Sequence, residues 1–326
     1  MTSNKPTCVT LFSGGGLSAL GARDAGFELV GAVEYCAEIA GVYRTNLGSH
    51  VTVGKVEEVC PCPYIGIDAL LASPVCTRMS IANANRGETE VDRTAAEGVC
   101  RWLRIARPQC FVMENVTQYR ESDSYRLIMA TLYRLGYLCT DDTVNATSFG
   151  VAQTRRRMIV RALLGAMPPP LKPTHYNPAV AKGDGGLFAE DTRGQMPWVG
   201  WYAAIEDILD TLPESRFAPW QIARLGTMLT ATVLVDGTST GPRPPTVLTP
   251  DLPALTICGG GGGRVHRAWL GQGRTVRMTT RALARFMSCP DTYTLPASNK
   301  LASTVLGNGV PCLLSQRIME QLKECL

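Results

Sequence analysis

Several shortages in this sequence exclude whole classes of protein. The 326-residue chain contains no apolar run approaching the roughly 18 residues that a membrane-spanning helix requires. The opening "MTSNKPTCVTLFSGGG" turns glycine-rich too soon for a secretory leader, so a cytoplasmic protein is expected. Charge of one sign is lacking too: 32 basic against 28 acidic residues leave a formal +4, and no general basic field announces a polyanion. Aromatics are slightly sparse at 7%, yet 45% hydrophobic residues supply ample core for one large domain, or a large and a small one. Lysine is scarce, 6 Lys against 26 Arg. Arginine suits bidentate contacts with phosphate and guanine, although codon usage produces the same bias.

A disulfide framework is missing as well. The twelve cysteines are scattered, mostly beside apolar residues, which fits reduced thiols. Cys60-Pro61-Cys62 has neither a second pair nor a nearby histidine, so no metal is expected.

What is present is a regular alternation. "TCVTL", "FELVGAVEY", "HVTVG", "IGIDALLAS" and "QCFVMENV" read as strands. "LSALGARDAG", "AEIAGVYRTNLG", "AAEGVCRWLRIARP" and "SDSYRLIMATLYRLG" read as the helices between them, most closed by glycine. "LCTDDTVNA" and "RRRMIVRALL" add two strands. The pattern predicts an α/β domain, a doubly wound and mostly parallel sheet, over residues 1–175. Residues 176–275 collect proline, glycine and the run "GGGGG" at 259–263, and predict a smaller, loop-rich unit. Regularity returns over 276–326, ending in an amphipathic helix "SQRIMEQLKECL", which is assigned back to the first domain.

Chemistry concentrates where the strands of such a sheet end. Strand, glycine turn, helix and a second strand ending in Glu34 are the layout of a nucleoside-cofactor site, with the acid accepting ribose hydroxyls. Phe12 offers a face for adenine. The same layout serves NAD and S-adenosylmethionine, and a glycine turn is also common without any ligand. Cys76 in "LLASPVCTRMS" follows the fourth strand; alone, such a thiol is more often packing than nucleophile. Glu114 and Asn115 come directly after the apolar run of the fifth strand, at its carboxyl end, where a purely structural Glu is out of place. In "FGVAQTRRRMIV" strict alternation sends Gln153, Arg155 and Arg157 to one face, suited to an anion or carbonyl, or simply to a solvated edge. Between Asp251 and Asp291 no acid occurs, yet Arg264, Arg267, Arg274, Arg277, Arg281 and Arg285 do. That run fits groove and phosphate contacts, although Arg281 and Arg285 equally suit a helix that packs the two domains together.

In this order, "FSGGG", "VEY", "SPVCTRMS", "ENV", "QTRRR", "RALARFMSCPDTY" and "GNGVP" make the chain resemble the DNA cytosine-5 methyltransferases, in a minimal bacterial or phage form. The resemblance implies that Cys76 adds to C6 of a flipped-out cytosine. Glu114 would bind N3 and the exocyclic amine, a role that needs a raised carboxyl pKa in a closed site. Arg157, with Arg155 nearby, would hold O2. S-adenosyl-L-methionine would lie among Phe12, Ser13, Gly14, Gly16, Leu17, Glu34, Tyr35, Lys55, Val56, Pro74, Asn308 and Val310. The DNA would meet Ser80, Asn115, Val116, Gln153, Thr256, Arg264 and Arg267, and residues 176–275 would be the target-recognition domain. The implied partner is double-stranded DNA, met by a monomer, with a restriction endonuclease as companion. A non-catalytic DNA-binding relative and an RNA-acting enzyme are the alternatives.

Four positions depart from the family pattern: Val75 and Thr77 flank the cysteine, Leu17 replaces a glycine, and Lys55 stands where a small polar residue faces adenine. A lysine cannot accept from the adenine amine. It either turns to solvent or signals a modified donor bearing extra negative charge.

Overall fold

In the first half of the chain, apolar runs with strand character alternate with helical periods capped by small residues. β1 (Thr7–Leu11), α1 (Leu17–Asp24), β2 (Glu28–Glu34), α2 (Ala37–Leu47), β3 (Val51–Val53) and β4 (Ala69–Ala72) come first. α3 (Glu90–Ala106), β5 (Cys110–Asn115), α4 (Asp123–Arg134), β6 (Tyr137–Asn145) and β7 (Arg156–Leu164) follow. This computed structural model describes residues 5–76, 87–181, 194–226, 232–236, 246–259 and 266–326.

The seven strands form one sheet in the order β3-β2-β1-β4-β5-β7-β6. Pairing is parallel from β3 through β5, and β7 runs antiparallel to both its neighbours. The mostly parallel, doubly wound sheet expected from the alternation is therefore present. β4 and β5 are buried along their whole length, as continuous apolar strands covered on both faces should be. Chain direction across the sheet reverses between β1 and β4, which opens a crevice at their carboxyl ends.

α3 starts at Glu90, five residues before the apolar period that announced it. The Asp92 carboxylate accepts from both the backbone N–H and the hydroxyl of Thr89, fixing the first turn through a polar cap that periodicity does not register. Trp102 of α3 is fully buried, and its indole N–H donates to the Val56 carbonyl. α9 (Cys312–Lys323), the C-terminal helix, packs on α1 through Gly21. A Cβ at Gly21 would stand 2.4 Å from the Cys312 carbonyl oxygen, so no larger residue fits.

Between β7 and α9 lie β8 (His175–Tyr176), α5 (Pro178–Ala181), β9 (Met196–Pro197), β10 (Glu214–Ser215) and α6 (Pro219–Leu225). β11 (Val233–Asp236), β12 (Thr246–Leu248), β13 (Arg267–Trp269), β14 (Thr275–Arg277), α7 (Thr280–Phe286) and α8 (Asn299–Asn308) complete the chain. β10-β14-β13-β11-β12 make an antiparallel sheet of short strands. The chain divides into two compact units, residues 1–145, 156–172 and 309–326 in one, 146–155 and 173–308 in the other. These bounds lie elsewhere than the composition shift at 176 and 275. β14 is an inner strand of the second sheet, and Gly307 packs against Gly259, so 276–308 belong with the second unit. Loop content marked where regular structure thins, not which segments pack together.

Candidate active site

The turn between β1 and α1 is held open by backbone in the left-handed region. Phe12 (φ 54), Gly14 (φ 55) and Gly16 (φ 89) all adopt it, a conformation that costs a non-glycine residue about 1–2 kcal/mol. Ser13 anchors the strained turn: its hydroxyl donates to the Thr10 carbonyl at 2.8 Å, and its N–H donates to the Val33 carbonyl. The two glycines differ. A Cβ on Gly16 would strike the side chains of Leu47 and Tyr43, whereas one on Gly14 would meet nothing within 4 Å. Gly16 is required for packing, while Gly14 edges the open space that a ligand would fill.

Glu34 closes that space at the tip of β2. Its two carboxylate oxygens accept from the Gly14 and Cys36 amides, each at 2.9 Å. Burial raises its pKa, and the amides act against the rise. A fixed, buried carboxylate with spare lone pairs beside an open glycine turn fits a ribose diol. Leu17 is buried in α1 and Val56 behind α3, while Tyr35 is exposed. Lys55 points to solvent and pairs with Glu58 at 3.3 Å, with 62% of its side chain exposed. A narrow cavity between the sheet and helices α1 and α9 is lined by Leu11, Val112, Glu114, Ile159, Ser18 and Ser315. Ser18 and Ser315 were not singled out from the sequence; no motif marks them, and only the packing of α9 on α1 brings them there.

Beside it lies the set Cys76, Glu114 and Arg157, all in the first unit. Arg157 Nε donates to Glu114 Oε1 at 2.9 Å, and both side chains are nearly buried. The pairing follows from register, since Glu114 on β5 lies opposite Ile159 of antiparallel β7. Cys76 is half-buried, and its thiol is pushed up to about 11, first by burial and then by the charge of Glu114. The Arg157 charge and the Val116 amide act in the opposite direction. At neutral pH the resting thiol is protonated, so its nucleophilic form must arise as substrate arrives. Asn115 secures the loop, its side-chain amide donating to the Pro74 carbonyl at 3.0 Å while its oxygen accepts from the Val116 N–H.

Strict alternation does not carry Gln153, Arg155 and Arg157 to one face, because β7 begins only at Arg156. Gln153 and Arg155 are buried in the second unit. Arg155 donates to the carbonyls of Ile257 and Gly307, and Gln153 accepts from the Ile257 N–H. The Thr256 hydroxyl donates to the Thr154 carbonyl. These residues knit 153–155 to 256–257, which a local sequence window does not reveal. Asn308 sits in that unit beside Gly259. Ser80 and Arg264, like Thr77, lie outside the described residues.

In the second unit most of the arginine run is paired internally. Arg274 bonds Asp210 and Glu214, Arg281 bonds the Pro290 and Tyr293 carbonyls, and Arg285 lies between Asp207 and Asp291. Arg267 rests over the Phe217 ring, 5.7 Å from its centroid, and donates to Ser215. It stands opposite Arg277 across β13 and β14. The Arg277 side chain is exposed and has no partner among the described residues.

The chain is 28% identical to the type II methyltransferase M.AplI of Arthrospira platensis, over 97% of this chain and 85% of that protein. It is 26% identical to the type II methyltransferase M.NgoFVII of Neisseria gonorrhoeae, over 100% and 87%. The fold matches the crystal structure of the Dnmt2 methyltransferase of S. pombe with a TM-score of 0.63 at 15% identity, covering 98% of this chain and 99% of that one. The family model for C-5 cytosine-specific DNA methylases matches residues 7–194 and 254–324, so this chain belongs to that family and is a DNA cytosine-5 methyltransferase.

Proposed function

We propose that the chain transfers a methyl group from S-adenosyl-L-methionine to C5 of a cytosine flipped out of double-stranded DNA, through a covalent bond between Cys76 Sγ and C6. The observation that carries this reading is the gathering of Cys76, Glu114 and Arg157 at the strand ends of one unit. Cytosine C5 is too weak a nucleophile until a thiolate has added at C6. Glu114 binds N3 and the exocyclic amine as Cys76 adds, and Arg157 holds O2 where negative charge develops. Bound S-adenosylmethionine supplies an electrophilic methyl group. Loss of the C5 proton and departure of Cys76 restore the base.

On this reading Gly14 and Glu34 hold the nucleoside part of the cofactor, with Phe12 and Val310 contributing walls. Lys55 takes no part in donor choice, which is supported by its exposure and its pairing with Glu58. Arg155, Gln153 and Thr256 frame the second unit through hydrogen bonds within it. That unit recognises the target. Like charges set directly opposite disfavour a sheet unless an anion lies between them, which supports Arg267 and Arg277 as phosphate contacts. The enzyme acts as a monomer, in the company of a restriction endonuclease.

Sequencing DNA from cells that express the protein, with modification mapped at base resolution, tests the reading. We expect 5-methylcytosine within one recurring sequence, lost on Cys76→Ser. Modification confined to RNA, a cytosine adduct larger than methyl, or methylation that survives Cys76→Ser would each overturn it.

A further inference from the structure

The Cys60-Pro61-Cys62 segment takes no part in the chemistry above, yet its two sulfurs lie 2.7 Å apart, closer than ordinary non-bonded contact. Both cysteines are exposed. The chain around them is built to hold that approach. Pro61 fixes its own φ at −77° with ψ at −8°, and Cys62 opens a single 3-10 turn, Cys62–Tyr64. Tyr64 stacks on the buried Trp102 ring, with centroids 5.5 Å apart. On the other side, the Arg101 guanidinium donates to the carbonyls of Glu57 and Val59, clamping the residues that lead into Cys60. Both thiols also sense the Arg101 charge, which favours their thiolates. The hydrogen bond shared by the two thiols lowers the Cys60 pKa and raises that of Cys62. One thiol is thereby prepared to attack and its neighbour to resolve.

We propose that Cys60 and Cys62 form a reactive dithiol site that exchanges with small-molecule disulfides. The Cys60 thiolate attacks one sulfur of the external disulfide, forming a mixed disulfide and expelling one thiolate. Cys62, after losing its proton, attacks the Cys60 sulfur, closing the Cys60–Cys62 bond and expelling the second thiolate. The protein loses two electrons and two protons, and one disulfide becomes two thiols. A metal needs more ligands than the pair offers, and among the described residues no group of three His, Cys, Asp or Glu side chains is placed so that it could hold a metal ion. The site is independent of methyl transfer, so its test does not depend on that reading.

The reduced full-length protein is treated with oxidised glutathione and followed by intact mass and peptide mapping. We expect the wild type to lose the mass of two hydrogen atoms, all from the peptide that carries both cysteines. This should run about tenfold faster than glutathionylation of the exposed Cys258 and Cys325. Cys62→Ser should stop at glutathione attached to Cys60, and Cys60→Ser should react more slowly at Cys62. Both substitutions are on the surface, and circular dichroism checks that each variant is folded. A stable glutathione adduct on the wild-type pair, or reaction no faster than at Cys258 and Cys325, would overturn the proposal.

Discussion

Each unit holds an arginine between or against carboxylates, and the two arrangements do opposite things. In the first unit Arg157 meets Glu114 almost out of water, beside a half-buried thiol, with side-chain exposures of 14% and 10%. In the second, Arg285 lies between Asp207 and Asp291, whose side chains are 68% and 55% exposed. The buried pair sits where removing one charge leaves the other uncompensated in low dielectric, next to the Cys76 thiol. The exposed trio is screened on its acidic side and acts as a tether between α7 and its neighbouring loops. Arginine in this chain is therefore read by what surrounds it, not by where it falls in a motif.

The largest expected effect tests the buried side of that contrast. Cys76→Ser should leave the fold intact and reduce methyl transfer, measured with labelled cofactor, below about one-thousandth of wild type. Arg157→Leu strands the Glu114 carboxylate. Denaturant unfolding should show a loss of about 3 kcal/mol, the low end for a broken buried pair because an edge of this one reaches solvent.

Charge beside the thiol should also be visible in pH profiles. Burial and Glu114 raise the Cys76 pKa from near 9 to about 11, so alkylation of the free enzyme should accelerate up to that range. Glu114→Gln should move the midpoint down and Arg157→Leu should move it up. A thiol raised on folding contributes stability that is complete below pH 9 and is lost as the pH passes through about 11. An alkylation midpoint that ignores both substitutions would break the coupling.

The legible part of the molecule is the part whose information is local. The β1–α1 turn, Glu34, Cys76 and Glu114 each sit at the end of an apolar strand or within a few residues past it, and the sheet carries them to one edge without further help. Alternation groups Arg155 with Arg157 because it treats the segment as one strand. The strand starts later, and Arg155 is buried by carbonyls about 100 and 150 positions away. The second unit reads as loop-rich for a similar reason. Its strands hold two to four residues each and are defined by partners across the sheet. Its boundary at 308 was hidden because α8 carries an ordinary helical period. α3 lost its first turn to a polar cap.

Smaller effects sharpen the second unit's side. Arg277→Ala should weaken DNA binding similarly across sequences and reduce the slope of log affinity against log salt by about 1. Arg285→Ala should leave that slope unchanged and cost about 1 kcal/mol or less of stability, since its partners are exposed. An equal loss of salt dependence in both variants would erase the distinction between free and tethered arginines.

The central claim is the covalent role of Cys76, and trapping tests it most directly. DNA carrying 5-fluorocytosine at the mapped target is incubated with enzyme and S-adenosylmethionine, then resolved under denaturing conditions. The account expects a stable protein–DNA adduct that requires cofactor and maps to Cys76, since fluorine at C5 blocks the final elimination. DNA binding without any adduct, or an adduct that persists in Cys76→Ser, would contradict it.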